Sequence, residues 1–102
     1  MRKTALAVLA STVLVAGCGG GKSATNASGA KVFASAGCGG CHTLEAAGSS
    51  GNVGPNLDDA KPDVALVLNR VTNGQGVMPS FKGQLSEQEI ADVAQYVVES
   101  TG

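Results

Sequence analysis

The sequence has 102 residues, of which 43% are hydrophobic and 15% are charged. Seven basic and eight acidic residues give a formal net charge of −1, and the aromatic residues are one tyrosine and two phenylalanines, with no tryptophan. A chain of this length is expected to hold one small domain, and without a basic patch it is not expected to bind nucleic acid.

The first 17 residues have the pattern of an export signal. Arg2 and Lys3 are followed by an apolar run over residues 5–16, which is within the range of signal peptides and too short to span a bilayer. We therefore expect residues 1–17 to be removed on export. Five basic and eight acidic residues then remain, a formal charge of −3.

Cys18 follows Val15-Ala16-Gly17, a run of small residues that resembles a bacterial lipobox. We expect Cys18 to be lipidated and to anchor the mature chain to a membrane, outside the cytoplasm, at the cell surface or in the periplasm. The alternative is an ordinary signal peptide cut nearby, with Cys18 left as a spare thiol. Residues 18–28 are rich in glycine and small residues and predict a flexible linker, so the folded domain is expected to cover residues 29–102.

A first helix is predicted over residues 30–36, which carry Val32 and Phe33 on one side and end at Gly37. The next residues are Cys38-Gly39-Gly40-Cys41-His42, a C-x-x-C-H motif. This motif is typical of covalent haem attachment, in which the two thiols form thioethers with the haem vinyl groups and the histidine ligates the iron. We expect one covalent haem c, held by Cys38 and Cys41, with His42 as an axial iron ligand.

Three other interpretations of this motif are open. A structural zinc site needs four ligands, and the sequence offers no second Cys/His pair near Cys38, Cys41 and His42. A thioredoxin-like dithiol normally follows a strand in a βαβ unit, and no strand-rich stretch precedes Cys38. The third is an inert disulfide or a pair of buried thiols.

Two more helices are predicted farther along the chain. Residues 61–73 have Pro62 near the helix start, apolar residues at helical spacing and Gly74 at the end. Residues 86–100 begin with a capping box, Ser86 and Glu89, and continue with a helical apolar stripe. No strand of useful length is visible, so the predicted fold is all-α with long loops over residues 43–60 and 75–85.

The second of these loops holds the candidate for the other axial ligand. His42 is the only histidine, so two histidines within one chain cannot ligate the iron. Apart from Met1, Met78 is the only methionine, and it lies in a loop where Pro79 restricts the backbone and Val77 and Phe81 are placed to shield its sulfur. We expect Met78 to be the sixth iron ligand, with Lys82 or water as the alternatives.

Four segments, in this order and spacing, resemble those of small bacterial class I c-type cytochromes. With the lipobox, the likeness is to monohaem lipoproteins of the c-551 or c-553 kind. The segments are Cys38-Gly39-Gly40-Cys41-His42, Val53-Gly54-Pro55-Asn56-Leu57, Val77-Met78-Pro79-Ser80-Phe81 and the helix from Leu85 and Ser86 to Tyr96 and Val97.

The resemblance implies a cytochrome c fold, with three main helices and long loops wrapped around one haem. It implies that Gly29 and Phe33 of the first helix meet Tyr96 of the last, and that the Pro55 carbonyl accepts the proton of the distal nitrogen of His42. It also implies an apolar haem pocket formed by Leu57, Val67, Leu68, Val71 and Phe81. Because there is no tryptophan, the candidates for a haem propionate partner are Arg70, Asn73 and Gln75.

A six-coordinate iron has no open position for a substrate, so the expected function is one-electron transfer and not catalysis. The expected donor is a quinol-oxidising complex, and the expected acceptor is a terminal oxidase of a respiratory chain or a photosynthetic reaction centre. We expect a monomer. The rival functions are a haem sensor or peroxidase in which Met78 dissociates, and a lipid-anchored thiol-disulfide reductase that uses Cys38 and Cys41.

Overall fold

A computed structural model describes residues 27–102, so the predicted signal peptide and Cys18 lie outside the described residues. The prediction of an all-α fold is confirmed, since four α-helices form most of this part and its only sheet is a two-stranded hairpin. The elements in chain order are α1 (Ala27–Ser35), a 3-10 turn (Cys38–Gly40), β1 (Thr43–Leu44), a second 3-10 turn (Glu45–Ala47), β2 (Ser49–Ser50), α2 (Leu57–Ala60), α3 (Val64–Asn73) and α4 (Glu87–Thr101).

Helix α4 begins where its capping box predicts. The Ser86 hydroxyl accepts a hydrogen bond from the Glu89 backbone N–H at 3.1 Å, and the Glu89 carboxylate accepts one from the Ser86 N–H at 3.0 Å. These two bonds satisfy N–H groups that a helix start otherwise leaves without partners. The apolar stripe of α4 then supplies about half of the core, including Ile90, Val93 and Val97.

Helix α1 packs across α4 through a close backbone approach. Gly29 is buried, and a side chain there would meet Asp92 and Tyr96 of α4. Phe33 lies edge-on to the Tyr96 ring, with centroids 5.8 Å apart and an interplanar angle of 62°. The crossing of Gly29 and Phe33 with Tyr96 is therefore confirmed. The helix starts at Ala27, so the last two residues of the predicted linker, 27 and 28, are helical.

Helix α3 is shorter at its start than the predicted 61–73. Asp63 caps the helix, because its carboxylate accepts a hydrogen bond from the Leu66 N–H at 2.8 Å. Lys61 instead ends the preceding helix α2 in a left-handed conformation, with φ of 44°. Pro62 therefore lies in the turn between two helices and not in the first turn of α3.

The predicted loop over residues 43–60 contains regular structure that the sequence did not reveal. β1 and β2 pair antiparallel, with Thr43 opposite Ser50 and Leu44 opposite Ser49. Helix α2 follows the Asn56 cap, whose side-chain oxygen accepts hydrogen bonds from the N–H groups of Asp58 and Asp59. Strands of two residues are too short to show the alternation by which strands are recognised.

The core lies between α1, α3, α4 and the hairpin. Leu44 and Val93 are its largest fully buried side chains. Over residues 27–102, no helix has the length and apolar character needed to cross a membrane. The buried apolar residues are Val32, Phe33, Leu44, Val67, Val71, Ile90, Val93, Ala94, Tyr96 and Val97.

Candidate functional site

A mainly apolar cavity of about 380 Å³ lies beside this core. Its wall is formed by the end of α1, the 3-10 turn that follows it, the segment before α2, helix α3, the 75–81 loop and helix α4. A cavity of this size, apolar with a few polar atoms, is typical of a cofactor site. Cys38, Cys41, His42 and Met78 all lie on its wall.

The two cysteines are presented by a tight turn after α1. Gly37 adopts a left-handed conformation, with φ of 76°, and the N–H groups of Cys41 and His42 both donate to the Cys38 carbonyl, at 3.2 and 3.0 Å. Cys38 is half-buried, Cys41 is exposed, and both thiols are free. The turn therefore places both sulfur atoms at the edge of the cavity.

The electrostatics of Cys38 differ from those of a redox-active dithiol. Burial raises the pKa of the Cys38 thiol, with a smaller increase from Cys41 and a partial offset from a backbone hydrogen bond. Reactive C-x-x-C pairs work through a lowered thiol pKa. Among residues 27–102, no three His, Cys, Asp or Glu side chains lie close enough together to hold a metal ion. The environment of the Cys38 thiol thus does not favour a thiol reductase.

The His42 imidazole is fixed by the segment before α2. Its Nδ1 lies 2.7 Å from the Pro55 carbonyl oxygen. A carbonyl can only accept, so Nδ1 carries the proton and Nε2 keeps its lone pair for a metal. The ring also lies against Gly54, where a Cβ atom would come within 2.6 Å of His42 Cε1. Gly54 lies in the segment Val53-Gly54-Pro55-Asn56-Leu57, but no pattern in the sequence predicts its contact with His42.

The β1–β2 hairpin supports the attachment turn from the side away from the cavity. The Ser49 hydroxyl donates to the His42 carbonyl at 2.9 Å and accepts from the Leu44 N–H at 3.0 Å. Gly51 lies so close that a Cβ there would be 2.7 Å from the backbone of Cys41. These contacts restrain the backbone of the C-x-x-C-H motif, and no sequence pattern predicts them.

Met78 is half-buried on the cavity wall and is presented by a short turn. The N–H and carbonyl groups of Gln75 and Met78 form two reciprocal hydrogen bonds, each of 3.0 Å. Gly74 enters this turn with φ of 72°, a conformation that favours glycine. Phe81 leaves it by donating its N–H to the Val71 carbonyl at 2.9 Å, which ties the loop to α3.

Most of the predicted pocket residues lie on the cavity wall. Pro55, Leu57, Val67, Val71 and Phe81 do so, and Leu68 does not. Leu68 instead packs against the hydrophobic core. Successive residues of a helix point about 100° apart, so Leu66 and Leu68 lie on opposite sides of Val67, and it is Leu66 that lines the cavity.

Other wall residues differ from the sequence-based assignment. Val93 and Val97 of α4 contribute to the wall as well as to the core, and neither is among the predicted pocket residues. Val77 was expected to shield the Met78 sulfur, but it is 82% exposed at the cavity rim, and Phe81 is the half-buried neighbour. Of the three propionate candidates, Arg70 and Gln75 line the cavity and Asn73 does not.

The chemistry of this donor set is specific. Two thiols, one imidazole with a free Nε2 and one thioether surround a mainly apolar space, which fits a flat apolar ring bound through sulfur and carrying iron. An imidazole and a thioether are the axial ligands of electron-transfer cytochromes, and apolar walls keep water from the ring.

Comparison with protein families gives a match over residues 24–97 to the family described as "Cytochrome C oxidase, cbb3-type, subunit III". Cytochrome c6 of Leptolyngbya boryana is 39% identical over 79 residues, which cover 72% of this chain and 89% of that protein. Cytochrome c6 of Picosynechococcus is 40% identical over 84 residues, covering 72% of this chain and 71% of that protein.

A solved structure shows the same similarity in three dimensions. The c-type cytochrome SorU from Sinorhizobium meliloti is 43% identical and superposes with a TM-score of 0.71, covering 76% of this chain and 92% of that chain.

Proposed function

This chain belongs to the class I c-type cytochromes, and from that premise we propose that it is a lipid-anchored one-electron carrier whose haem iron is ligated by His42 and Met78. Members of this family carry covalently bound haem c and transfer electrons; they are not enzymes. The observation that carries the proposal is the placement of both thiols, the imidazole and the only thioether of the described residues around one apolar cavity.

In this proposal Cys38 and Cys41 hold the haem through two thioether bonds. The free thiols lie at one edge of the cavity, on a turn that the hairpin restrains. His42 ligates the iron through Nε2, and the Pro55 carbonyl, 2.7 Å from Nδ1, keeps the ring in the required tautomer and orientation. This hydrogen bond also makes the imidazole a stronger ligand.

Met78 ligates the iron from the 75–81 loop. A bound haem supplies an iron that alternates between Fe(II) and Fe(III). The Met78 thioether favours Fe(II), and apolar residues such as Val67, Val71 and Phe81 disfavour the additional positive charge of Fe(III). Both effects raise the reduction potential. With His42 and Met78 both bound in the two oxidation states, little rearrangement would accompany electron transfer.

The surface around the cavity mouth suits brief docking. The most exposed large apolar side chains of residues 27–102 all line the cavity. They are Val53, Leu66 and Val77, which are 63%, 43% and 82% exposed. Exposed apolar side chains clustered at one place mark an interaction surface. We propose that partners contact this rim, next to the exposed Cys41, when electrons pass.

The proposed location and partners rest on the sequence and on the names of relatives. Lipid on Cys18 would hold the domain near a membrane surface outside the cytoplasm, and we propose that it acts there as a monomer. A quinol-oxidising complex is the proposed donor. The description of the matching family favours a terminal oxidase as acceptor, while the name of a 38% identical relative, "Cytochrome c6, chloroplastic" from Chlamydomonas reinhardtii, is consistent with a photosynthetic reaction centre.

Replacing Met78 with Ala tests the iron ligation. In holoprotein made with haem-maturation machinery, M78A should have a lower midpoint potential than the wild type and should bind carbon monoxide in the ferrous state. Wild-type protein that already binds carbon monoxide readily would favour the haem sensor or peroxidase instead. A haem stain that survives denaturing electrophoresis would eliminate the thiol-disulfide reductase.

Replacing Cys18 with Ser tests the anchor separately. The wild-type chain should incorporate labelled fatty acid and fractionate with membranes, and C18S should do neither while keeping the same haem spectrum. If the wild-type protein carries no lipid, the anchor is wrong and the electron-carrier function is unaffected.

A further inference from the structure

The main chain of His42 is held by a side chain outside the C-x-x-C-H motif. The Ser49 hydroxyl donates to the His42 carbonyl at 2.9 Å and accepts from the Leu44 N–H at 3.0 Å. A hydroxyl has one proton to donate and two lone pairs that accept, so both hydrogen bonds can form at the same time. One side chain thus bridges the peptide groups on either side of Thr43.

This bridge connects His42 to the hydrophobic core. The Leu44 side chain is fully buried, whereas His42 and Ser49 are half-buried. A side chain in a closely packed core has little freedom to move, so the main chain of Leu44 is a fixed point. Through the Ser49 hydroxyl, the His42 carbonyl is tied to that point.

The hairpin and the attachment turn are in direct contact on both sides of this bridge. A Cβ at Gly39 would lie 2.7 Å from the Ser49 Cβ, and a Cβ at Gly51 would lie 2.7 Å from the Cys41 backbone. Contacts this close leave no room for the hairpin to move toward the turn. If the Ser49 hydroxyl is removed, the neighbouring backbone therefore cannot shift to take its place.

The ring and the main chain of His42 are held by different segments, and these segments are joined to each other. The Pro55 carbonyl lies 2.7 Å from Nδ1 of the ring, and Ser49 holds the main-chain carbonyl. The Glu45 N–H, just after β1, donates to the Asp58 carboxylate of α2 at 2.9 Å. To turn the His42 ring relative to its main chain, at least one of these hydrogen bonds has to lengthen.

We propose that Ser49 is a positioning residue for electron transfer, because it keeps the main chain of His42 fixed while the iron changes its oxidation state. This inference rests on the proposed electron-carrier function. Groups that are fixed in advance cost no reorganisation at the moment of reaction. A ligand on a looser main chain shifts more when the charge of the iron changes, and that shift slows the transfer of the electron.

The test compares electron self-exchange between molecules of the holoprotein in S49A and in the control T43V. Thr43 is half-buried in the same hairpin, and its hydroxyl donates to the Gly51 carbonyl at 2.9 Å. T43V therefore removes a similar hydrogen bond without removing a partner of His42. Neither Thr43 nor Ser49 lines the haem cavity or its rim, so neither change alters the proposed docking surface. Haem methyl NMR signals in mixtures of oxidised and reduced protein give the self-exchange rate.

S49A should exchange electrons severalfold more slowly than T43V, and T43V should remain close to the wild type. A second readout does not depend on electron transfer. The paramagnetic shifts of the His42 β-protons in the oxidised protein should move in S49A and not in T43V, because these shifts depend on the angle between the ring and the main chain. The proposal is overturned if S49A and T43V have the same self-exchange rate or the same His42 shifts, even where both are less stable than the wild type.

The wild-type measurement distinguishes this inference from the function on which it rests. A wild-type holoprotein without measurable self-exchange would contradict the electron-carrier function itself. If the wild type exchanges electrons and S49A matches T43V, the electron-carrier function stands and the role of Ser49 is wrong.

Discussion

His42 is restrained on two sides, by the Pro55 carbonyl at Nδ1 and by Gly54 against the ring. The hydrogen bond sets the tautomer, and the contact with Gly54 sets where the ring can lie. Of the two, the contact with Gly54 tolerates no added atom, since a Cβ at Gly54 would come within 2.6 Å of Cε1 and 3.0 Å of Nδ1.

We predict that G54A tilts the His42 ring and weakens its hydrogen bond to Pro55. The axial histidine bond should weaken with it, because a histidine that loses this hydrogen bond is a poorer ligand. Paramagnetically shifted proton NMR signals of the His42 ring in oxidised holoprotein measure the effect. G40A is the control, since a Cβ at Gly40 meets no atom within 4 Å. Equal spectra for G54A and G40A would show that the ring is not held by Gly54.

Ser80 ties the loop that presents Met78 to helix α3. Its hydroxyl donates to the Thr72 carbonyl at 2.6 Å and accepts from the Lys82 N–H at 3.3 Å. These bonds lie two residues from Met78, so in the proposed ligation their loss should make the thioether easier to displace from the iron.

We predict that in S80A imidazole displaces Met78 from ferric iron with severalfold higher affinity, since a net hydrogen bond contributes about 1 kcal/mol. Spectroscopic titration of the holoprotein measures this, and S80T should restore the wild-type affinity. S50A serves as control, because Ser50 is exposed and its side chain makes no hydrogen bond within residues 27–102. A titration curve for S80A that coincides with that of S50A would exclude this role of Ser80.

Among the elements, the α1–α4 crossing depends on one missing side chain. Gly29 is buried where α1 meets α4, and an alanine there would place its Cβ about 2.5 Å from the Tyr96 Cβ, and still closer to the Asp92 carbonyl. The two helices would have to separate, which would also disturb the packing of Phe33 on Tyr96.

We predict that G29A lowers the free energy of unfolding of the holoprotein by about 1 to 3 kcal/mol, the usual cost of overpacking. Alanine is the better helix former by about 1 kcal/mol, so a loss of stability means that the steric effect exceeds the propensity gain. Guanidinium unfolding followed by circular dichroism measures it. K31A, an exposed change on the same helix, should stay within about 0.5 kcal/mol. If G29A proves as stable as K31A, the crossing is looser than described.

The sequence predicted the elements that carry their own signals. The capping box of Ser86 and Glu89 located α4, and the 3.6-residue stripe located α3, although Asp63 and not Pro62 governs where α3 starts. The hairpin and α2 were missed because two-residue strands have no readable period and a four-residue helix has no stripe. The Asn56 cap with two following aspartates was the available signal for α2.

The same contrast holds within the site. Motif and composition predict which cysteines, histidine and methionine belong to the site, because few residues of their kind are present. All four lie on the cavity wall, namely Cys38, Cys41, His42 and Met78. The sequence does not predict which side of α3 lines the cavity. Leu66 and Leu68 are equally apolar, and only the packing of the helix distinguishes them. The contact of Gly54 with His42 was equally hidden, because it joins residues from separate segments.

At the scale of the whole molecule, the cavity lies next to a small core. Four side chains pack against the buried residues but remain only partly buried, namely Leu57, Leu68, Met78 and Phe81, and all of these except Leu68 line the cavity. A domain of this size is marginally stable from its polypeptide core alone, so a bound haem would add the apolar contacts that the walls otherwise lack.

We predict that the chain without haem is largely unfolded. A C38A/C41A double variant of the full chain, produced without haem, should lack the helical circular dichroism of the holoprotein and its cooperative thermal transition. The same double variant reconstituted with haem controls for the loss of the thiols themselves. Native-like helical content in the haem-free chain would contradict the prediction and indicate that the walls are stable without a cofactor.

The other proposals for this protein depend on a closed His42/Met78 coordination sphere, and the absorption spectrum of the oxidised wild-type holoprotein tests it. We predict a low-spin ferric spectrum with the long-wavelength band of methionine ligation, and the loss of that band in M78A. A high-spin spectrum in the wild type, or a band that persists in M78A, would contradict it.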